Sequence, residues 1–383
     1  MTKVSGIIQL SQFLKNDEAA TAYGETYMRN YDYREKGKKL LTPDIISLLT
    51  SIHEYKGEQR LIVERYADVL TDLVDFARIR STKSSYEIDG IYFPDERLKK
   101  IVLDKTMPRN RNEQEIAGYR DVMNKIQEYY EYIPIRSTHL LQLHRDLYKF
   151  HGSGIGGSFK NTANTFEAVD ENGNIKIRFQ PVSVQETPEA TEQLCAAYNQ
   201  VLLEPYVDPL LIMPMFVLDF LCIHPFRDSN ERMSRLLTRL LLYQAGCLVV
   251  KYISIEEQIE RTKDSYYKNL QASLTGWHEE MNDYAPFVKY LLGVVVASYR
   301  EFFERTKLIT SVKMSKPDRI AEEIRNHTGT ITRAELVEQV PDVSQTTVQR
   351  TLTKLTKQGR IIKLGTGSYI KYRWNWDQED EHQ

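Results

Sequence analysis

A mainly α-helical body carrying one β-hairpin, followed by a small α+β module, is the fold class this sequence predicts. Three observations carry it. Apolar residues recur at three- and four-residue spacing through most of the first 310 positions. Clear alternation of apolar and charged residues occurs there once, at Ile175-Lys176-Ile177-Arg178-Phe179, beside the turn-forming Asp170-Glu171-Asn172-Gly173. Beyond residue 317, three short helical patterns run into two strand-like stretches.

The chain is long enough for two or three domains at about 150 residues each. Hydrophobic residues make up 41%, which provides a sizeable core and excludes disorder throughout. Lys plus Arg number 51 and Asp plus Glu 53, so a chain that is basic or acidic everywhere is excluded. The cysteines are Cys195, Cys222 and Cys247, odd in number and without CxxC spacing. A disulfide framework or cysteine-rich zinc site is not expected, and a reducing cytoplasm fits. The first residues lack the apolar run and cleavage site of a signal peptide. The longest apolar stretch, Pro209–Ile223, is interrupted by Pro214 and Asp219 and is too short to span a bilayer. A soluble cytoplasmic protein with no membrane partner is the expectation.

The elements follow in order. Residues 43 to 80 are expected to be helical, with Ile62, Tyr66, Leu70, Leu73 and Phe76 as the apolar stripe and a break at Ser81–Ser85. Helices are expected over 112–131 and 137–150. The glycine-rich stretch 152–157 reads as a flexible lead into the hairpin at 164–179. It lacks the lysine and helix of a phosphate-binding loop, and His139, His144 and His151 lack the spacing of a zinc pair. Helices then run over 188–204, 209–221, 229–245, 255–274 and 283–308.

Character changes near 311–317. PDRIAEEIRNH and TRAELVEQV, the second opened by Thr332, read as helices. A turn follows at Pro341-Asp342-Val343. SQTTVQRTLTKLTKQG reads as a third helix, capped by Ser344, with Val348, Leu352 and Leu355 inward. Two strands then flank a Gly-Thr-Gly-Ser turn. This arrangement resembles a winged helix-turn-helix. Gln345, Thr346, Gln349, Arg350, Thr353, Lys354 and Lys357 face outward on its third helix and suit base edges and phosphates of duplex DNA. Residues 313–373 hold 12 Lys/Arg against 6 Asp/Glu, so the module is basic within a near-neutral chain.

The chemistry concentrates in His224-Pro-Phe-Arg-Asp-Ser-Asn-Glu-Arg-Met-Ser-Arg235, between two apolar helices. A loop leading into a helix N-terminus aims backbone N–H groups and a positive dipole at an anion. Arg232 and Arg235 are spaced to grip phosphate oxygens. Asp228 is a hard oxygen ligand suited to magnesium, and His224 a base near neutral pH. Singly, each has a bland reading: a satisfied histidine, a helix cap, a solvated basic face. Together they form a nucleotidyl-transfer kit.

The stretch resembles the Fic-family signature HPFxDGNGRxxR, and the similarity extends over roughly residues 60 to 300. The hairpin at 164–179 resembles the family's flap, and IERTKDSYYKNL, with Tyr266 and Tyr267, its later helix with paired tyrosines. The resemblance implies transfer of AMP from ATP to a Ser, Thr or Tyr hydroxyl of a target protein docked on the flap. His224 would take the hydroxyl proton and Asp228 hold Mg2+. The backbone amides of Ser229, Asn230, Glu231 and Arg232, with Asn230, would cradle phosphates. Arg232 and Arg235 would neutralise pyrophosphate. The family's inhibitory pattern [S/T]xxxE[G/N] is matched by Ser85, Asp89 and Gly90 with aspartate for glutamate, which implies a brake through Asp89 and Arg235. Glu87 lies nearby but off register.

Two positions depart from the signature: Ser229 and Glu231 stand where glycines are usual. Left-handed backbone at Glu231 would cost about 1–2 kcal/mol, and its carboxylate would repel a triphosphate. The expected organisation is an N-terminal helical region over 1–110, a Fic-like core over 111–311, the winged helix over 312–373 and an acidic tail over 374–383. The expected function is an autoinhibited protein adenylyltransferase with a DNA-binding module. The alternative is a DNA-binding regulator whose Fic-like domain senses a nucleotide or partner without turnover. A homodimer is left open.

Overall fold

Burying one wholly apolar segment organises the larger part of the chain. The computed structural model describes residues 29–66, 70–152, 154–163, 166–169, 175–313, 315–327, 329–340, 343–365 and 370–376. The first helices are α1 (Tyr33–Lys39), α2 (Pro43–Tyr66), α3 (Thr71–Ile88), α4 (Asp95–Val102), α5 (Arg111–Tyr129) and α6 (Ser137–Leu147). Strands β1 (Phe166–Val169) and β2 (Ile175–Phe179) follow. Then come α7 (Thr187–Val201), α8 (Pro209–Ile223), α9 (Asn230–Gln244), α10 (Ile255–Arg261), α11 (Lys263–Leu274) and α12 (Ala285–Lys313). The remainder comprises α13 (Lys316–Asn326), β3 (Ile331–Thr332), α14 (Arg333–Gln339), α15 (Gln345–Lys357), β4 (Ile361–Leu364) and β5 (Lys371–Trp374). The chain divides into two compact units, Met1–Phe303 and Glu304–Gln383, and the division falls inside α12.

In the first unit, α8 is buried from Leu210 to Ile223 and packs against α1, α7, α9 and α11. Each large side chain so enclosed stabilises by about 1.5–3 kcal/mol. Pro209 at the first turn and the Asp208 side chain, accepting from the Leu210 N–H, start the helix. Asp219 is the one carboxylate within α8, and its burial needs partners. Tyr33 Oη donates to it at 2.7 Å, Trp277 Nε1 at 2.6 Å and Tyr284 Oη at 2.9 Å. The Arg29 Nε stands 3.7 Å away.

The structure corrects several sequence expectations. Residues 43–80 contain two helices, and Phe76 is exposed rather than part of a continuous buried stripe. Ser81–Ser85 is not a break but the buried last part of α3. Serines leave helices when their hydroxyls compete for the backbone. Here Ser81 and Ser85 bond to arginines of α9, and Thr82 Oγ1 donates to the Arg78 carbonyl at 2.9 Å. The segment 255–274 is two helices that meet at Thr262.

β1 and β2 pair antiparallel, with Glu167 opposite Ile177 and Val169 opposite Ile175. Residues 164 and 165 and the turn at 170–174 lie outside the described residues. The second unit packs α13, α14 and α15 on the antiparallel sheet β3-β5-β4. Its core includes Ile320, Ile324, Leu336, Val348, Leu352 and Trp374. Thr332 and Glu335 form a reciprocal cap on α14, and Ser344 caps α15. Pro341, Asp342, the turn residues 366–369 and tail residues 377–383 lie outside the described residues. Among the described residues, no helix is long and apolar enough to cross a membrane.

Candidate active site

Three backbone carbonyls and a lysine fix the first side chain of the site. His224 ends α8 in the left-handed region, with φ 52° and ψ 60°. Bulky residues rarely adopt it, and the conformation costs on the order of 1–3 kcal/mol unless surroundings impose it. Lys160 imposes it from both sides. Its backbone N–H donates to the Pro225 carbonyl and its Nζ to the Ile223 carbonyl, each at 2.9 Å. The third carbonyl, of Leu221, lies 3.4 Å from His224 Nδ1. A carbonyl only accepts, so the ring proton sits on Nδ1 and Nε2 keeps its lone pair. Burial, then the Lys160 charge, lowers the His224 pKa to about 3. The imidazole is neutral at physiological pH, as a general base must be.

The loop from 225 to 229 is held by side chains of its own and of α6. Asn230 Oδ1 accepts from the Phe226 N–H at 2.9 Å, and its Nδ2 donates to the Phe226 carbonyl at 2.8 Å. Both polar atoms of the Asn230 amide thus close the loop. His144 stacks on the Phe226 ring, with centroids 3.9 Å apart and planes within 6°. The Gly157 N–H donates to His144 Nδ1 at 3.1 Å, so Nε2 carries the proton and meets the Asp228 carbonyl at 3.3 Å. Burial lowers the His144 pKa to about 4. Tyr148 Oη and Ser229 Oγ are 2.8 Å apart.

Positive φ falls at Ser229, 63°, and not at Glu231, which lies in the first turn of α9. The backbone cost anticipated for Glu231 therefore belongs to Ser229, whose small side chain and Tyr148 partner accommodate it. Ser229 does not cap α9 with its side chain. The first N–H groups of α9 thus form an uncapped, positively polarised end. Asp228 stands beside it with a half-exposed carboxylate, one oxygen of which accepts from the Ser229 N–H at 2.6 Å. Glu231 does face the histidine: its Oε1 is 4.0 Å from His224 Nε2. Partial burial and the neighbouring Asp89 push its pKa up.

Both motif arginines are buried and already engaged. Arg235 Nη2 donates to both Asp89 oxygens, at 2.9 and 3.0 Å, and to the Ser85 carbonyl at 2.8 Å. Its Nε donates to Ser85 Oγ at 3.0 Å. Arg232 Nη1 donates to Glu115 at 2.9 Å, and its guanidinium covers the Tyr86 ring at 4.9 Å. Arg232 also lies 3.6 Å from Asp89 and 3.8 Å from Asp228. Gly90, at φ 76°, turns the chain after Asp89. Glu87 is directed elsewhere, 3.8 Å from Lys83. Tyr266 and Tyr267 are buried, and Arg235 exerts its charge on both.

Sequence reasoning missed Lys160, His144 and Gly157. Lys160 gave no signal, because its partners lie more than 60 residues on. His144 occupies the apolar stripe of α6 with Leu140, Leu143 and Leu147, a position that could have marked it as buried. Gly157 is not a flexible lead: φ is 82°, and a Cβ there would come within 2.7 Å of Arg145 Nε. In the second unit, Gln345, Thr346, Gln349, Arg350, Thr353, Lys354 and Lys357 are all exposed on α15.

Residues 134–242 match the Fic/DOC family. A Fic family protein from Desulfovibrio desulfuricans G20 has a similar structure, with a TM-score of 0.57 and 19% identity over 88% of this chain and 97% of its own. A Fic-domain-containing signalling protein from Bacteroides thetaiotaomicron VPI-5482 is similar at 0.52 and 19%, over 69% and 97%. Fic-1 from C. elegans is similar at 0.50 and 18%, over 72% and 76%. These likenesses support the fold. No curated protein matches the chain.

Proposed function

We propose that this Fic-domain chain is a protein adenylyltransferase, moving AMP from ATP to a Ser, Thr or Tyr hydroxyl of a target protein. The observation that carries the reading is a neutral His224, with its ring proton on Nδ1, at the uncapped N-terminus of α9. In the reaction, Nε2 takes the hydroxyl proton. The oxygen bonds to the α-phosphorus, the bond to the β-phosphate bridging oxygen breaks, and pyrophosphate leaves. The α9 end stabilises charge developing on the phosphoryl oxygens. Arg232 and Arg235 neutralise the leaving group once their carboxylate partners yield. Asp228, half-exposed and rich in hard oxygen, fits a magnesium ion. When bound, that ion would neutralise phosphate charge. The strands at 166–169 and 175–179 would receive the target segment as an added strand.

Asp89 acts as a brake in this reading, because it holds the arginine that the leaving phosphates need. The C-terminal unit is a winged helix binding duplex DNA through the exposed polar face of α15. A second reading is a DNA-binding regulator whose Fic domain binds a nucleotide or partner without turnover. The crowding of Asp89, Glu115 and Glu231 around the arginines and His224 favours it. Mass spectrometry after incubation with ATP and Mg2+ separates the two. An AMP adduct formed by wild type and lost in His224→Ala supports transfer. Nucleotide binding with no adduct, from Asp89→Gly as well as wild type, leaves the second reading.

A further inference from the structure

Lys160 is nearly inaccessible, 3% exposed, and it belongs to neither the motif nor the brake. A buried lysine needs a reason, since removing an ammonium from water is costly. Its Nζ bonds to a neutral carbonyl, that of Ile223, and no carboxylate is among the influences on its titration. Desolvation brings its pKa down to about 8, and it remains mostly charged at neutral pH. What it touches is specific. The carbonyls of Ile223 and Pro225 flank His224, and one residue holds both.

We propose that Lys160 is a positioning residue for the base: it holds the carbonyls on both sides of the strained His224 backbone and places a positive charge near the imidazole. The proposal rests on the reading of His224 as the base. Charged groups of both signs act on that ring. Lys160 disfavours its protonation, whereas Asp228 favours it. Glu231 lies 4.0 Å from Nε2 and would also favour it when ionised. Burial does most to keep this ring neutral, and the Lys160 charge acts in the same direction against the two carboxylates.

The test is a titration of the His224 imidazole by NMR in the full chain, with the pH profile of AMP transfer measured in parallel. Wild-type His224 should stay neutral down to at least pH 5. Lys160→Met keeps the backbone N–H and the side-chain length but removes the charge. It should raise the His224 midpoint by about one pH unit and shift the acid limb of kcat equally. Lys160→Arg should return both towards wild type, which a purely structural role does not require. A His224 midpoint unchanged in folded Lys160→Met overturns the proposal. So does a wild-type midpoint near 6.5, a measurement that does not depend on any variant folding. Absence of AMP transfer by wild type would count against the functional reading alone, because the titration needs no turnover.

Discussion

Replacing Asp89 with alanine should move stability and nucleotide affinity in opposite directions. Arg235 is 2% exposed, and Asp89 accepts from its Nη2 through both oxygens, at 2.9 and 3.0 Å. Stripping a buried cation of its partner costs about 3–5 kcal/mol when nothing else remains. Ser85 remains, through its carbonyl and hydroxyl at 2.8 and 3.0 Å, which brings the cost nearer to 2 kcal/mol. A phosphate that must displace Asp89 from Arg235 is relieved of a similar amount, so ATP should bind roughly 30-fold more tightly. The melting temperature of the free protein should fall by a few degrees. Calorimetric titration of Mg-ATP into Asp89→Ala, in a His224→Ala background to prevent turnover, reads the affinity. Scanning calorimetry reads the stability. Unchanged or weaker ATP binding, alongside the expected loss of stability, would show that the pair is structural and that Asp89 is no brake.

Gly157→Ala should cost about 1–3 kcal/mol in a urea titration, because φ is 82° and the new methyl meets Arg145. Acid should weaken the protein through His144. Its pKa is about 4 in the fold against 6.5 ordinarily, so its contribution is complete above about pH 6.5. It is lost as pH falls from there through about 4, to a total of about 3 kcal/mol. Urea midpoints between pH 7 and 4 should show a shallower decline in His144→Gln than in wild type. Arg350→Ala should weaken duplex DNA binding and reduce the salt slope by about one. If wild type shifts no duplex even at low salt, DNA is not the ligand of the α15 face.

The motif was legible because its information is local. A histidine, an aspartate and two arginines between two apolar helices imply a helix end, and the structure builds α8 and α9 around it. What the sequence concealed depends on distant partners. Ser81–Ser85 reads as a break by composition, yet α9 supplies guanidiniums to those hydroxyls, and the helix continues. Asn230 reads as part of the phosphate cradle, and only the fold shows its amide bonded to Phe226, four residues back. The sequence does not say which of the two non-glycine positions, Ser229 or Glu231, bears left-handed backbone; it falls on Ser229 because the helix has already begun at Asn230. Lys160 is polar, unpatterned and outside every motif, so only the folded arrangement relates it to His224.

The arginines of α9 determine where this protein can be cut. Arg232, Arg235 and Arg239 are all buried, and nearly everything that satisfies them comes from outside residues 134–242. Glu115, Ser85, Asp89 and Ser81 lie before that stretch, and Glu256 and the Val250 carbonyl after it. Inside it, Asp228 approaches Arg232 only to 3.8 Å. A fragment confined to 134–242 would retain every residue from His224 to Arg235 and still leave three cations facing a core without counter-charges. The family-matching segment therefore depends on helices outside it for the partners of its arginines. The helices that restrain its arginines also make the segment foldable, and a truncation meant to release the site would first dismantle it.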